Sequence, residues 1–231
     1  MKNISEYLKE LKKKPYGKAV FFFGFYLVFF IILFILIGVM GQTTPKDYNN
    51  NNVINPVSIK SILDKNYSFS YKVVLDNNTY LYEGDKFNDN ISFKYNDKEY
   101  FQNNSNTYVK ENEWISSTDP IKFKYFFNEN NLDNIINNAY YESKTTYESG
   151  KNTYNYLISS NTINRIIDNS ETDYSEEANK LSIVKTNDVE EISLNLDSYC
   201  VLNKLCDKSL KIIINYDNYK SVKEIVNPIE N

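Results

Sequence analysis

YSFSYKVVL, residues 67–75, alternates apolar and mostly polar side chains with a period of two. Tyr67, Phe69, Tyr71, Val73 and Leu75 fall on one side of an extended chain, and Ser68, Ser70, Lys72 and Val74 on the other. The spacing predicts a β-strand with one buried face. Downstream the pattern repeats. Asn77-Asn78 leads into 79–83, and Ile91, Phe93 and Tyr95 alternate again. Asn96-Asp97 turns the chain into 99–102, 103–106 turns it into 107–110, and Asn112 precedes Trp114-Ile115. Short strands separated by Asn- and Asp-rich turns make an antiparallel meander.

At Asp119-Pro120 the meander breaks. Leu132, Ile135, Ile136 and Ala139 predict a short helix, and strands follow at 141–147 and 152–159 across Ser149-Gly150. NTINRIID, residues 161–168, reads as a second helix with Ile163, Ile166 and Ile167 on one side. An acidic loop, 171–179, precedes strands at 181–185, 190–199 and 210–216. A further short helix is expected at 56–65, from Val57, Ile59, Ile62 and Leu63. About nine or ten antiparallel strands with one apolar face require cover on one side. Two or three short helices are too few to fill so wide a concavity, so the sheet must curl. Either side chains fill the interior or a cavity remains.

A second signal lies upstream. Residues 19–40, AVFFFGFYLVFFIILFILIGVM, carry no charge. At 1.5 Å per residue they make roughly 33 Å of helix, enough for a hydrocarbon core of about 30 Å. Residues 1–18 hold Lys2, Lys9, Lys12, Lys13, Lys14 and Lys18 against Glu6 and Glu10. The positive-inside rule places this basic segment in the cytoplasm and the C-terminal part outside. A cleaved signal peptide has an apolar region of only about 7–15 residues, so the reading is a single-pass signal anchor. Ile4, Tyr7, Leu8 and Leu11 share one helix face, which suits either a helix lying on the inner leaflet or a frayed tail that supplies topology alone. Residues 41–55 read as a polar, Asn-rich linker and 56–231 as the extracytoplasmic domain. The fold class is therefore α+β: one transmembrane helix, then one large curved antiparallel sheet, a half-barrel, with two or three short helices.

The order of elements resembles the LolA-like (LppX-like) lipoprotein-carrier fold. The residues carrying the resemblance are the opening helix, the Tyr-rich strand 67–75, Lys98-Glu99-Tyr100, Thr107-Tyr108-Val109-Lys110 and Trp114. The helices at 132–139 and 161–168, the strand pair about Ser149-Gly150 and the closing hairpin complete it. The resemblance spans residues 56–225. It implies an open barrel whose concave face holds a lipid or other apolar ligand. A transmembrane anchor in place of a lipidated cysteine departs from that pattern and argues against shuttling between membranes.

The chain has 26 Lys+Arg, 30 Asp+Glu and no histidine, for a net charge of -4. Without histidine there is no Ser-His-Asp triad, Cys-His nucleophile or His-rich zinc site. Removing the six positive and two negative charges of residues 1–18 leaves 20 and 28, a net of -8. That acidity is a poor match for nucleic acid. Arg165 is the sole arginine, and Asn and Lys abound, a skew that AT-rich codon usage produces by itself.

Candidate chemistry is sparse. Cys200 and Cys206 are spaced to close the hairpin between the last two strands as a disulfide, and they lack the further ligands that a metal or redox site needs. Ser182-Ile183-Val184-Lys185 matches S-x-x-K, but it lies on an expected strand, and Lys185-Thr186-Asn187 fails the companion K-T-G. Phe69, Tyr71, Tyr82, Phe93, Tyr95, Trp114, Tyr154 and Tyr156 are core residues by default and cavity-lining residues on the sharper reading. The expectation is a non-enzymatic domain with no cofactor and no metal. It would bind an apolar ligand in the half-barrel, or act as an envelope interaction or sensor module whose core is filled and which contacts a protein or wall polymer.

Overall fold

The computed structural model describes residues 13–16, 23, 26–31, 56–59, 62, 65–103, 106–167, 177–219 and 221–229. The chain divides into two compact units, Met1–Asp47 and Tyr48–Asn231. In the first, residues 23 and 26–31 are helical and exposed. Among the described residues no helix is long and apolar enough to cross a membrane. Most of the expected span 19–40, and all of the linker 41–55, lie outside them.

The second unit is built on one antiparallel sheet of eleven strands. In chain order its elements are β1 (Tyr67–Leu75), β2 (Asn78–Phe87), β3 (Asn90–Tyr95), β4 (Lys98–Asn103), β5 (Asn106–Lys110), β6 (Trp114–Ser117), α1 (Lys124–Phe127) and α2 (Glu129–Asn137). There follow β7 (Tyr140–Thr146), β8 (Asn152–Ser159), α3 (Ser160–Ile167), β9 (Ala178–Lys185), β10 (Val189–Asn195), α4 (Asp197–Leu202) and β11 (Leu210–Asp217). Spatial order is β6-β5-β4-β3-β2-β1-β11-β10-β9-β8-β7. The chain meanders from β1 out to the β6 edge and re-enters at the opposite edge, β7. It then meanders back until β11 pairs with β1. The intervening segment carries α1 and α2.

Asparagine and aspartate make the turns, in a chain with only six glycines. Asn96 and Asp97, at φ 48° and 61°, form the two-residue β3–β4 connection. Both central residues at positive φ is the type I′ geometry that follows strand twist. Asp76 at φ 50° and Asn88 at φ 54° serve the two preceding hairpins. Asp76 also accepts from the backbone N–H groups of Asp207, Lys208 and Ser209 at 3.1, 2.8 and 3.0 Å. These bonds, led by those from Ser209 and Asp207, hold its carboxyl below the usual range and tie the β1–β2 turn to the loop before β11.

Alternation sets the core. From β1, Tyr67, Phe69, Tyr71 and Val73 are buried; from β11, Leu210, Ile212, Ile214 and Tyr216 are buried beside them. The cover brings Phe126 and Phe127 of α1, Leu132, Ile135 and Ile136 of α2, Ile163 of α3 and Tyr199 of α4 into the same cluster. The i, i+3, i+4 spacing in α2 points its three apolar residues the same way. Asn128 caps that helix by accepting from the backbone N–H of Asn131 at 3.1 Å, and Ser159 caps α3 by accepting from Thr162 N at 3.1 Å.

Several expectations need correction. Besides the helical Ile62, four short helices lie among the described residues of this unit where two or three are expected, and the sheet has eleven strands rather than nine or ten. Residues 197–199 fall at the end of the strand expected over 190–199, where Ile192, Leu194 and Leu196 alternate. They belong to α4. Asn195 Oδ1 accepts from Asp197 N at 3.3 Å and Asp197 Oδ1 from Leu210 N at 2.9 Å, so side chains take over the backbone pairing there. In the expected helix 56–65, residues 57–59 carry no regular element and Ile62 is helical; 60, 61, 63 and 64 lie outside the described residues.

Candidate functional site

Seven of the eight candidate lining residues share the covered face. Phe69 and Tyr71 of β1, Tyr82 of β2, and Phe93 and Tyr95 of β3 form one aromatic group. Tyr82 stacks on Tyr95 at 4.5 Å between ring centroids and lies 5.8 Å from Tyr71, while Phe93 stacks on Tyr100 at 5.2 Å. Phe127 of the cover presses against Phe69 at 4.9 Å and Tyr71 at 5.1 Å. Tyr154 and Tyr156 sit apart on β8, with Tyr141 5.7 Å from Tyr156 and Lys144 over the Tyr154 ring at 5.4 Å. Trp114 is on the opposite face. Its partner in register is Lys110, which shares a face with Tyr108, and its ring meets Phe101 edge-on at 6.4 Å.

Three of the buried hydroxyls, those of Tyr67, Tyr71 and Tyr82, find partners on the cover. Tyr71 donates to the carbonyls of Lys122 and Phe123 at 3.0 and 2.9 Å. Tyr82 donates to Pro120 O at 2.9 Å and accepts from Lys122 N at 3.1 Å. Tyr67 donates to Glu129 Oε1, which also accepts from Lys86 Nζ at 2.5 Å. That ion pair is mostly shielded, with side chains 13% and 16% exposed, and Lys86 lies 5.3 Å from the Tyr67 ring centre. A cleft of about 140 Å³ beside it is lined by Tyr67, Lys86, Gln102, Phe127 and Glu129, among others.

Burial raises the hydroxyl pKa of Tyr82 to about 12 and pushes Tyr67, Tyr71, Tyr156, Tyr216 and Tyr219 up as well. An acid whose folded pKa lies above its unfolded value near 10 is held in its neutral form by folding. Its contribution to stability is intact below pH 10 and lost as pH rises toward the folded value. The unfolding free energy is therefore expected to drop steeply between about pH 10 and 12, with tyrosinate absorbance from these rings appearing only with unfolding. Reversible titration of all tyrosines near pH 10 in the folded chain contradicts this burial.

The opposite face of the sheet carries two adjoining hollows. A trough of about 550 Å³ runs across β11, β1, β2, β3 and β4, over Ser68, Ser70, Asp85, Ser92, Glu99 and Asp217. Beside it lies the C-terminal segment. Asn218 donates from Nδ2 to Ser68 Oγ at 3.1 Å, and Asn90 Nδ2 donates to Ile225 O at 2.7 Å. Residues 221–225 line an adjoining hollow of about 430 Å³ over Ser68, Asp85 and Ser92.

Ser182 and Lys185 sit three apart on β9, so they point to opposite faces and cannot act together. Cys200 and Cys206 are joined as a disulfide with Cα atoms 5.5 Å apart, bridging α4 to the loop beyond it. No group of three metal-ligating side chains occurs among the described residues. Lys86, Glu129 and the trough were not expected from sequence. Lys86 carried a signal all the same: it is a lysine at the inward parity of Tyr80, Tyr82 and Gly84.

No protein-family profile matches the chain, and no curated protein matches it. Among solved structures it is similar to the crystal structure of LprF from Mycobacterium bovis, at 13% identity and a TM-score of 0.42, over 74% of this chain and 93% of that one. The likeness is one of fold and reaches no further.

Proposed function

We propose that this chain is a membrane-tethered, extracytoplasmic, non-catalytic binding module. Its half-barrel is filled by its own side chains, and it engages an envelope partner through the open face of the sheet. The observation that carries the reading is the aromatic filling. Tyr71, Tyr82, Phe93 and Tyr156, which would line a ligand cavity, are themselves at most 2% exposed. The cleft left beside Tyr67 and Lys86, about 140 Å³, is well below the roughly 300–1,000 Å³ of small-molecule pockets. The tether rests on the uncharged run 19–40 and its basic flank.

A second reading, an apolar ligand within the half-barrel, draws on the apolar covered face and on the shortness of α1 and α2. A lipid would have to displace α1 and break the Tyr71 and Tyr82 bonds to 120–123. The two readings separate on one experiment. A chain starting at Tyr48, the boundary of the compact unit, is purified without detergent, denatured, and its organic extract weighed by mass spectrometry. The native form is titrated with a fluorescent fatty-acid probe. The filled-core module yields no stoichiometric lipid and no saturable probe signal. One lipid per chain overturns it and restores the carrier.

A further inference from the structure

We infer that the trough on the open sheet face is a binding site for an extended glycan, either uncharged or amine-bearing. This rests on the reading of that face as the working surface. Strand register lays out the floor. Asp217, Ser68, Asp85 and Ser92 stand directly opposite one another on β11, β1, β2 and β3, and the same row continues into Phe101, Tyr108 and Ser116 on β4, β5 and β6. Six steps between neighbouring strands at about 4.8 Å make a track of about 29 Å. A parallel row, Asn215, Ser70, Glu83, Lys94 and Glu99, runs beside it. The C-terminal segment, pinned through Asn218 and Asn90, borders this floor at Ser68, Asp85 and Ser92.

The chemistry of the track selects its occupant. β1 to β5 and β11 are each paired on both sides, so their backbone groups are spent and no peptide can add as a further strand. Recognition falls to side chains. These are short hydroxyls, amides and carboxylates, which donate to and accept from a ligand rich in hydroxyl groups, and the polar half of the track offers no apolar socket for a peptide anchor. At its β4–β6 end the polar row gives way to rings. Phe101 stacks with Tyr108 at 6.2 Å and meets Trp114 at 6.4 Å, and Lys110 lies 6.0 Å from the Trp114 ring centre. Tyr108 and Trp114, both partly exposed, supply aromatic surface on which the C–H face of a sugar ring can rest. Glu83, Asp85, Glu99 and Asp217 against Lys94 leave the trough three charges negative, and Lys110, paired to Glu99 at 3.1 Å, leaves the whole track two negative. A polyanion is repelled, while a neutral or protonated amino-sugar chain is not.

Trp114 is the only tryptophan of the chain, so its fluorescence reports on this site alone. The full chain in a zwitterionic, sugar-free detergent is titrated with an N-acetylglucosamine hexamer, its deacetylated amine-bearing counterpart, a sulfated glycan of similar length and an oligolysine. Calorimetry runs in parallel. The expected result is a saturable change with one or both of the first two and none with the sulfated chain. Asp85→Asn and Trp114→Ala each weaken that binding at least tenfold with the melting temperature unchanged, and Glu83→Gln serves if either fails to fold. Equal binding of the sulfated chain, binding of oligolysine alone, or no saturable binding of either uncharged or amine-bearing glycan overturns the proposal. A lipid-free chain that ignores glycans loses only the glycan assignment, whereas a lipid-loaded chain loses the filled-core reading.

Discussion

Gly84→Ala is expected to lower the melting temperature of the Tyr48–Asn231 unit by about 6–12 °C, the equivalent of about 3 kcal/mol for a domain of this size. Gly84 lies on the covered face of β2, directly opposite Phe93 of β3. A Cβ built on it meets Ser92 O at 2.0 Å and the Cα and Cβ of Phe93 at 2.6 Å. Two of these three atoms are backbone and the third is fixed to it, so no rotamer change relieves the clash and β2 and β3 must part. The absent side chain is what allows the close approach, and the Phe93 ring beside it rests on Tyr100. Gly150 is the internal control. It has φ 81° and nothing within 4 Å of an added Cβ, so alanine there meets only the left-handed backbone penalty of about 1 kcal/mol. Thermal unfolding followed by circular dichroism compares the two. Equal small shifts at both positions would sink the Gly84–Phe93 register.

Gly84 also marks the limit of what was legible in the sequence. The strands were, because period-two alternation in 67–75 and 91–95 is a local property of extended chain. So were the hairpins, since Asn and Asp tolerate positive φ where the chain lacks glycine. The helices were less so. α1 is four residues, KYFF, too short for a helical period, and α4 continues the alternation of β10 by one apolar residue before Asp197 diverts it. Which strand neighbours which was beyond reach: the pairing of β11 with β1 joins residues some 140 positions apart. Faces at the sheet edge were lost for the same reason. Trp114 groups with Tyr100 or with Phe101 according to register, and only pairing with Lys110 settles it. The trough is a property of register rows across five strands, invisible to any reading along one of them.

Glu129→Gln is expected to cost about 2–3 kcal/mol, more than Lys86→Met at about 1–2 kcal/mol, with the double variant Glu129→Gln/Lys86→Met less destabilised than the sum and the apolar pair Glu129→Leu/Lys86→Met less again. Glu129 Oε1 gathers two donors, Lys86 Nζ and the Tyr67 hydroxyl. It stands in the first turn of α2, where the helix dipole favours negative charge. Take away Lys86 and the carboxylate keeps the tyrosine and the helix terminus. Take away the carboxylate charge and a lysine ammonium, 87% shielded, faces an amide and the face of the Tyr67 ring. The second loss is the worse because an uncompensated cation remains beneath the cover. Replacing both groups with apolar ones leaves no charge to desolvate and fills the cleft of about 140 Å³ in part. A double-mutant cycle read by denaturant unfolding gives the coupling. A value indistinguishable from zero would place the two side chains apart in solution, and with it would go the polar anchor holding the N-terminus of α2 to β1 and β2.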